Sequence, residues 1–126
     1  MAKNVIFSPT APAPIGPYSQ AIQAGNLLFV SGQIAIQQSS GKLVTGNIDE
    51  ETHQVMKNLS DVLSAAGFGF SNVVKTTIFL KDMNNFPNVN AVYGSYFSSE
   101  PPARETVEVS RLPKDVNVEI SCIAVK

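Results

Sequence analysis

Residues 48–66 read IDEETHQVMKNLSDVLSAA, and Ile48, Val55, Met56, Leu59, Val62, Leu63 and Ala66 fall on one stripe of a 3.6-residue helix. Asn47 or Asp49 can cap its start, Glu50 and Glu51 suit the positive end of its macrodipole, and Gly67 can take the left-handed stop. Outward from this helix the period changes. Downstream, Val73 to Leu80 is rich in β-branched residues, with Lys75 and Thr77 interrupting at strand period, which predicts an inner strand with a partly polar face. Phe86, Val89, Val92, Tyr93, Tyr96 and Phe97 then return to helical spacing, with Pro87 tolerable in a first turn. Thr106 to Val109 and Val116 to Val125 are β-rich runs expected to close the fold as an antiparallel pair. Upstream, AIQA (21–24) and LLFVSGQIAI (27–36) flank Gly25-Asn26, whose turn chemistry predicts a hairpin, and a short strand is expected around Lys42 to Thr45. Four prolines in SPTAPAPIGP (8–17) forbid a ladder there, while Ile15 and Tyr18 offer apolar groups for packing, so an ordered loop is expected.

The order strands, helix, strand, helix, strands defines an α+β class: a mixed, mainly antiparallel sheet with two helices on one face. Phe29, Ile34, Ile36, Ile78 and Ile123 cannot all point at two helices if strands alternate, so a second apolar face is expected to seek a partner subunit. The 126 residues, 44% hydrophobic and 15% charged, fit one packed domain spanning 1–126. A single cysteine, Cys122, cannot form an internal disulfide, which favours a reducing compartment. The formal net charge of −1 and the lack of any basic run argue against electrostatic nucleic-acid binding. Neither a signal core nor an apolar run long enough for a membrane is present, so a cytoplasmic location is expected.

One His and one Cys, with no pair at ligand spacing, leave no metal constellation, and no Walker or dinucleotide loop implies a nucleotide; no cofactor is expected. His53 sits on the polar side of the first helix, and Cys122 reads as a small core filler. Arg104 follows Pro101-Pro102-Ala103 and opens a strand. Its guanidinium is either a clamp for a planar carboxylate or a solvated strand-end cation. In the run 116–125, Val116, Val118, Ile120 and Cys122 share one side, which turns Glu119 to the other; there it is either a rim carboxylate or an acid set beside apolar surface.

GPYSQA (16–21), VSGQI (30–34), PPARETVEV (101–109) and RLPKDVNVEISCIAV (111–125) together resemble the reactive intermediate deaminases, the RidA/YjgF family of imine and enamine hydrolases. The resemblance covers nearly the whole chain, and its specific element is Pro-Ala-Arg followed at fixed distance by apolar-Glu-Ile. It implies a chorismate-mutase-like fold and a homotrimer with clefts between subunits. Position by position it puts the carboxylate-binding arginine on Arg104, the water-handling acid on Glu119 and an aromatic lid on Tyr18. Ser31 and Gly32 match cleft-lining positions, and Asn90 matches a polar position. The implied substrate is a small 2-imino acid, hydrolysed to a 2-oxo acid and ammonia. A non-catalytic module that binds small carboxylates or protein partners is the alternative, with Glu119 as the discriminating residue. Two positions depart from the family pattern. Glu105, where a small or weakly polar residue is usual, should project to the face opposite Arg104, and Thr106 lies on the Arg104 side.

Overall fold

The computed structural model describes residues 2–126. Its strands are β1 (Lys3–Ile6), β2 (Ala21–Ala24), β3 (Leu27–Gln33), β4 (Ile36–Gln37), β5 (Lys42–Leu43), β6 (Val73–Leu80), β7 (Ala103–Glu108) and β8 (Val118–Val125). Two α-helices, α1 (Ile48–Ala65) and α2 (Phe86–Gly94), complete the frame. Six strands form one sheet in the order β1-β2-β3-β8-β6-β7, and β4 pairs with β5 in a separate ribbon.

Helix α1 forms where its stripe predicts it. Asn47 is the N-cap, its side chain accepting from the backbone N–H of Asp49 and Glu50, and Gly67 takes φ 79° just past the end. Val55, Met56, Leu59, Val62 and Leu63 are buried against Leu28 and Val30 of β3, Ile120 and Cys122 of β8, and Ile78 of β6. Each such side chain contributes roughly 1.5–3 kcal/mol of transfer free energy. Helix α2 packs beside α1 on the same sheet face, with Val89 and Tyr93 turned inward.

The expected closing pair is corrected. β7 pairs in parallel with β6, and β8 lies between β3 and β6, antiparallel to both. Two causes account for this. β6 and β7 are joined through α2, and a helical crossover returns the chain in the same direction. β7 carries Arg104, Glu105 and Glu108, charges that suit an edge, whereas β8 alternates buried and half-buried along its whole length and suits the centre.

The proline-rich segment is ordered, for a different reason from the one its apolar residues imply. Ile15 and Tyr18 are 70% and 51% exposed. The segment is tied down instead by buried Gln20, whose Oε1 accepts from Ser8 N at 2.6 Å and whose Nε2 donates to Ser8 O at 3.1 Å and Pro12 O at 2.9 Å. The second sheet face also resolves in detail. Ile78 lies under the helices, Ile34 and Ile36 join a small cluster with Leu112 and Val116, and Phe29 remains on the open face, 43% exposed.

Candidate functional site

Alternation along β8 buries Val118 and Ile120 under the helices and sends Glu119 to the open face. Beside it β3 bulges. Val30 pairs with Cys122 and Gln33 with Ile120, so Ser31 and Gly32 together oppose Ser121. The bulge brings the β3 backbone against the Glu119 carboxyl group, and a Cβ built on Gly32 would lie 2.6 Å from Glu119 Oε2 and 2.8 Å from its carboxyl carbon. Glycine here leaves the Glu119 carboxyl group its place, from which a Cβ would displace it. Ser31 locks the neighbouring segment, its N–H donating to Gln20 O at 2.9 Å and its Oγ to Ser19 O at 2.6 Å. Tyr18 stands just before that segment, its N–H donating to Gly16 O at 2.8 Å.

Tyr18, Ser31, Gly32 and Glu119 thus line one cleft of about 420 Å³, walled by Ile34 and Pro113. Half burial in this cleft pushes the Glu119 carboxyl above the ordinary carboxylate range, with desolvation the sole cause. Among the described residues no cation pairs with it. With its pKa raised, the Glu119 carboxylate is a stronger proton acceptor than a surface glutamate.

Arg104 and Asn90 lie elsewhere. Arg104 is opposite Thr76 in the parallel register, and like Thr76 it is on the helix side of the sheet. Its Nη1 donates to Asn90 Oδ1 at 2.7 Å, and its guanidinium carbon lies 5.5 Å from the Phe86 ring centroid and 5.1 Å from that of Tyr93. The Tyr93 hydroxyl shares a hydrogen bond of 2.8 Å with Thr76 Oγ1. Burial raises the Tyr93 pKa, opposed in part by that hydrogen bond and by the charge of Arg104. Glu105 points to the open face, as alternation predicts, and pairs with Lys75 at 3.2 Å. Thr106 returns to the Arg104 side, where its buried Oγ1 has no hydrogen-bond partner among the described residues.

Within the single chain, then, the six candidate residues form two groups. Glu119 faces Phe79 across the β8–β6 ladder and Phe79 faces Val107 across the β6–β7 ladder, so Arg104 is two strands away and on the other face of the sheet. The remaining candidates from composition fall outside both groups. His53 is exposed on α1 with its Nδ1 2.7 Å from the Tyr96 hydroxyl, and the buried Cys122 thiol is pushed up to about 12. Among the described residues no group of three or more potential ligands is gathered for a metal ion.

Sequence reasoning missed two supports of the site. One is Gln20. The other is Glu51, fully buried, whose carboxylate accepts from Asn117 N at 2.7 Å and Asn117 Nδ2 at 2.8 Å, two residues before Glu119. A signal for Glu51 was present: it lies three residues after Ile48 and four before Val55, on the apolar stripe, where a charge must find buried donors.

An α+β domain with an acid in an open-face cleft and a guanidinium on the far side of the sheet is the class that fold and site define. Residues 8–126 match the family model described as Endoribonuclease L-PSP, and the chain belongs to that family, the RidA/YjgF group. It is 55% identical over 124 residues to a RutC family protein of Pyrococcus horikoshii, covering 98% of each chain. It is 49% identical to the mouse 2-iminobutanoate/2-iminopropanoate deaminase, covering 98% of this chain and 92% of the mouse protein. Among solved structures, E. coli TdcF with bound serine superposes with a TM-score of 0.94 at 35% identity over 98% of both chains.

Proposed function

We propose that residues 1–126 act as one reactive-intermediate deaminase domain that hydrolyses 2-imino acids to 2-oxo acids and ammonia. The observation that carries this reading is the half-buried Glu119 carboxyl, without a cation partner among the described residues, in the cleft beside Gly32. The identity to the mouse deaminase supports it. The iminium carbon is already electrophilic, so the protein's task is positioning and proton exchange. Arg104 holds the substrate carboxylate in parallel hydrogen bonds. Glu119 takes a proton from water as its oxygen bonds to the iminium carbon, then returns it to nitrogen. The C–N bond breaks as the carbinol O–H gives its proton to the Glu119 carboxylate, and 2-oxo acid and ammonia leave, the ammonia carrying that proton away as ammonium. Tyr18, Ser31, Gly32 and Asn90 complete the binding surface, and no cofactor enters the chemistry.

Arg104 and Glu119 lie on opposite sides of a single sheet, so this reading joins them across subunits of a homotrimer, Arg104 from one copy meeting Glu119 of the next. Exposed Phe29 and Val107 on the open face supply apolar surface for such an assembly. No helix among the described residues is long and apolar enough to cross a membrane, and a cytoplasmic location is part of the proposal. The nuclease wording of the family description is not carried over. The formal net charge is −1, and the single histidine is engaged with Tyr96 outside the cleft.

A second reading, a module that holds a small carboxylate metabolite without turning it over, draws on the serine bound to TdcF. A coupled assay decides between them. A PLP-dependent dehydratase generates 2-aminoacrylate, and ammonia release is followed with and without this protein. Acceleration is expected; release at the uncatalysed rate, with 2-oxo acid still bound, overturns the deaminase reading in favour of the binding module.

A further inference from the structure

Phe86, Asn90 and Tyr93 fall at i, i+4 and i+7, so they share one face of α2, and all three meet the same guanidinium. Their chemistry has one common property: each is uncharged. Two aromatic faces and one amide oxygen hold Arg104, while among the described residues no carboxylate lies in ion-pair contact with it. The nearest acid in sequence, Glu105, is turned to the other face and paired with Lys75. Glu108, on the Arg104 face, accepts from Met83 N at 2.8 Å. Tyr93 is itself fixed through Thr76, and its ring packs on Phe97 with centroids 4.8 Å apart. A guanidinium has five N–H donors and Asn90 accepts at Nη1, which leaves a donor edge for a planar anion.

We propose that Phe86, Asn90 and Tyr93 form a charge-neutral cradle that orients Arg104 before substrate arrives and leaves its positive charge for the incoming carboxylate. They are positioning residues that set carboxylate affinity through Arg104 without reacting themselves, an inference that rests on the deaminase reading for its substrate. An acid at position 90 would pin Arg104 equally well and compete with the substrate. Neutrality, and not rigidity alone, is therefore what the cradle contributes.

The test uses the full chain in its native assembly, with two measurements on Tyr93→Leu, Tyr93→Phe and Asn90→Asp. Arg104 order is read from the relaxation of its Nε–H signal, and binding from calorimetry with 2-oxobutanoate, a stable product-like acid. Tyr93→Leu is expected to loosen Arg104 and weaken binding roughly tenfold, raising KM with little change in kcat, and Tyr93→Phe, which keeps the aromatic face, to restore both to within about threefold. Asn90→Asp is expected to keep Arg104 ordered and still weaken binding more than about tenfold, because the charge is cancelled. Unchanged Arg104 order in Tyr93→Leu overturns the cradle, and parental affinity in Asn90→Asp overturns its neutrality. If the parent does not bind 2-oxobutanoate, the deaminase reading fails, and Arg104 order across the three variants still decides the cradle.

Discussion

Glu119 carries its burial as a pH dependence. Its pKa is raised in the folded protein, so the native state keeps a proton at pH values where the unfolded chain has lost it. Stability from this group is full below the unfolded carboxylate value, about 4.3, and is lost as pH rises through the folded value. Glu119→Gln escapes that loss. Its Tm is expected to exceed the parent's at pH 7, and the difference to shrink as pH approaches 4, as thermal unfolding across that range will read. Its imine turnover is expected to fall by roughly 10²–10⁴, because an amide cannot take the proton of the attacking water. Gly32→Ala attacks the same group sterically. The new Cβ would lie 2.6 Å from Oε2 of a side chain whose end can swing away, so the fold is expected to survive. Turnover is expected to drop about 10²-fold as the carboxyl leaves its place, measured in the coupled assay beside a circular-dichroism melt.

At the scale of elements, α1 and the entry to β8 are tied by Glu51 and Asn117. Glu51→Ala leaves the Asn117 N–H without its acceptor and is expected to cost about 1.5–3 kcal/mol in urea unfolding, with Glu51→Gln losing less because one acceptor remains. This tie also marks what local sequence conveys. The α1 stripe, the β6 alternation and the Gly25-Asn26 turn are periodic or short-range signals, and their elements stand where those signals put them. Pairing is different. Nothing within 106–125 states that β7 is to run beside β6, because the partner is chosen by a helix crossover and by which strand can tolerate an edge. The site divides in the same way. Alternation placed Glu119 on the open face, but the Ser31–Gly32 bulge that crowds it depends on a register between strands some ninety residues apart. The separation of Arg104 from Glu119 likewise follows from the parallel β6–β7 pairing, which the expected antiparallel pair concealed.

At the scale of the whole molecule, the proposed assembly makes a test that a self-contained protomer cannot pass. Arg104→Ala and Glu119→Gln subunits, each inactive alone, are unfolded together and refolded at equal amounts. Random mixing in a trimer with shared clefts is expected to restore about a quarter of parental activity, since each intact cleft needs one subunit of either kind. No recovery, with sedimentation equilibrium confirming mixed trimers, places both residues in one subunit's site and removes the shared cleft. The position of β8 has a consequence for how the protein is made. A ribosome delivers β3 and β6 well before residues 118–125, yet those residues fill the gap between the two earlier strands. Until they clear the exit tunnel, β3 and β6 each present an open hydrogen-bonding edge, and the apolar face of α1 lacks the middle of its floor. Nascent chains stalled before residue 118 will therefore be degraded quickly by protease and held by chaperones, and resistance will appear in a single step once β8 emerges.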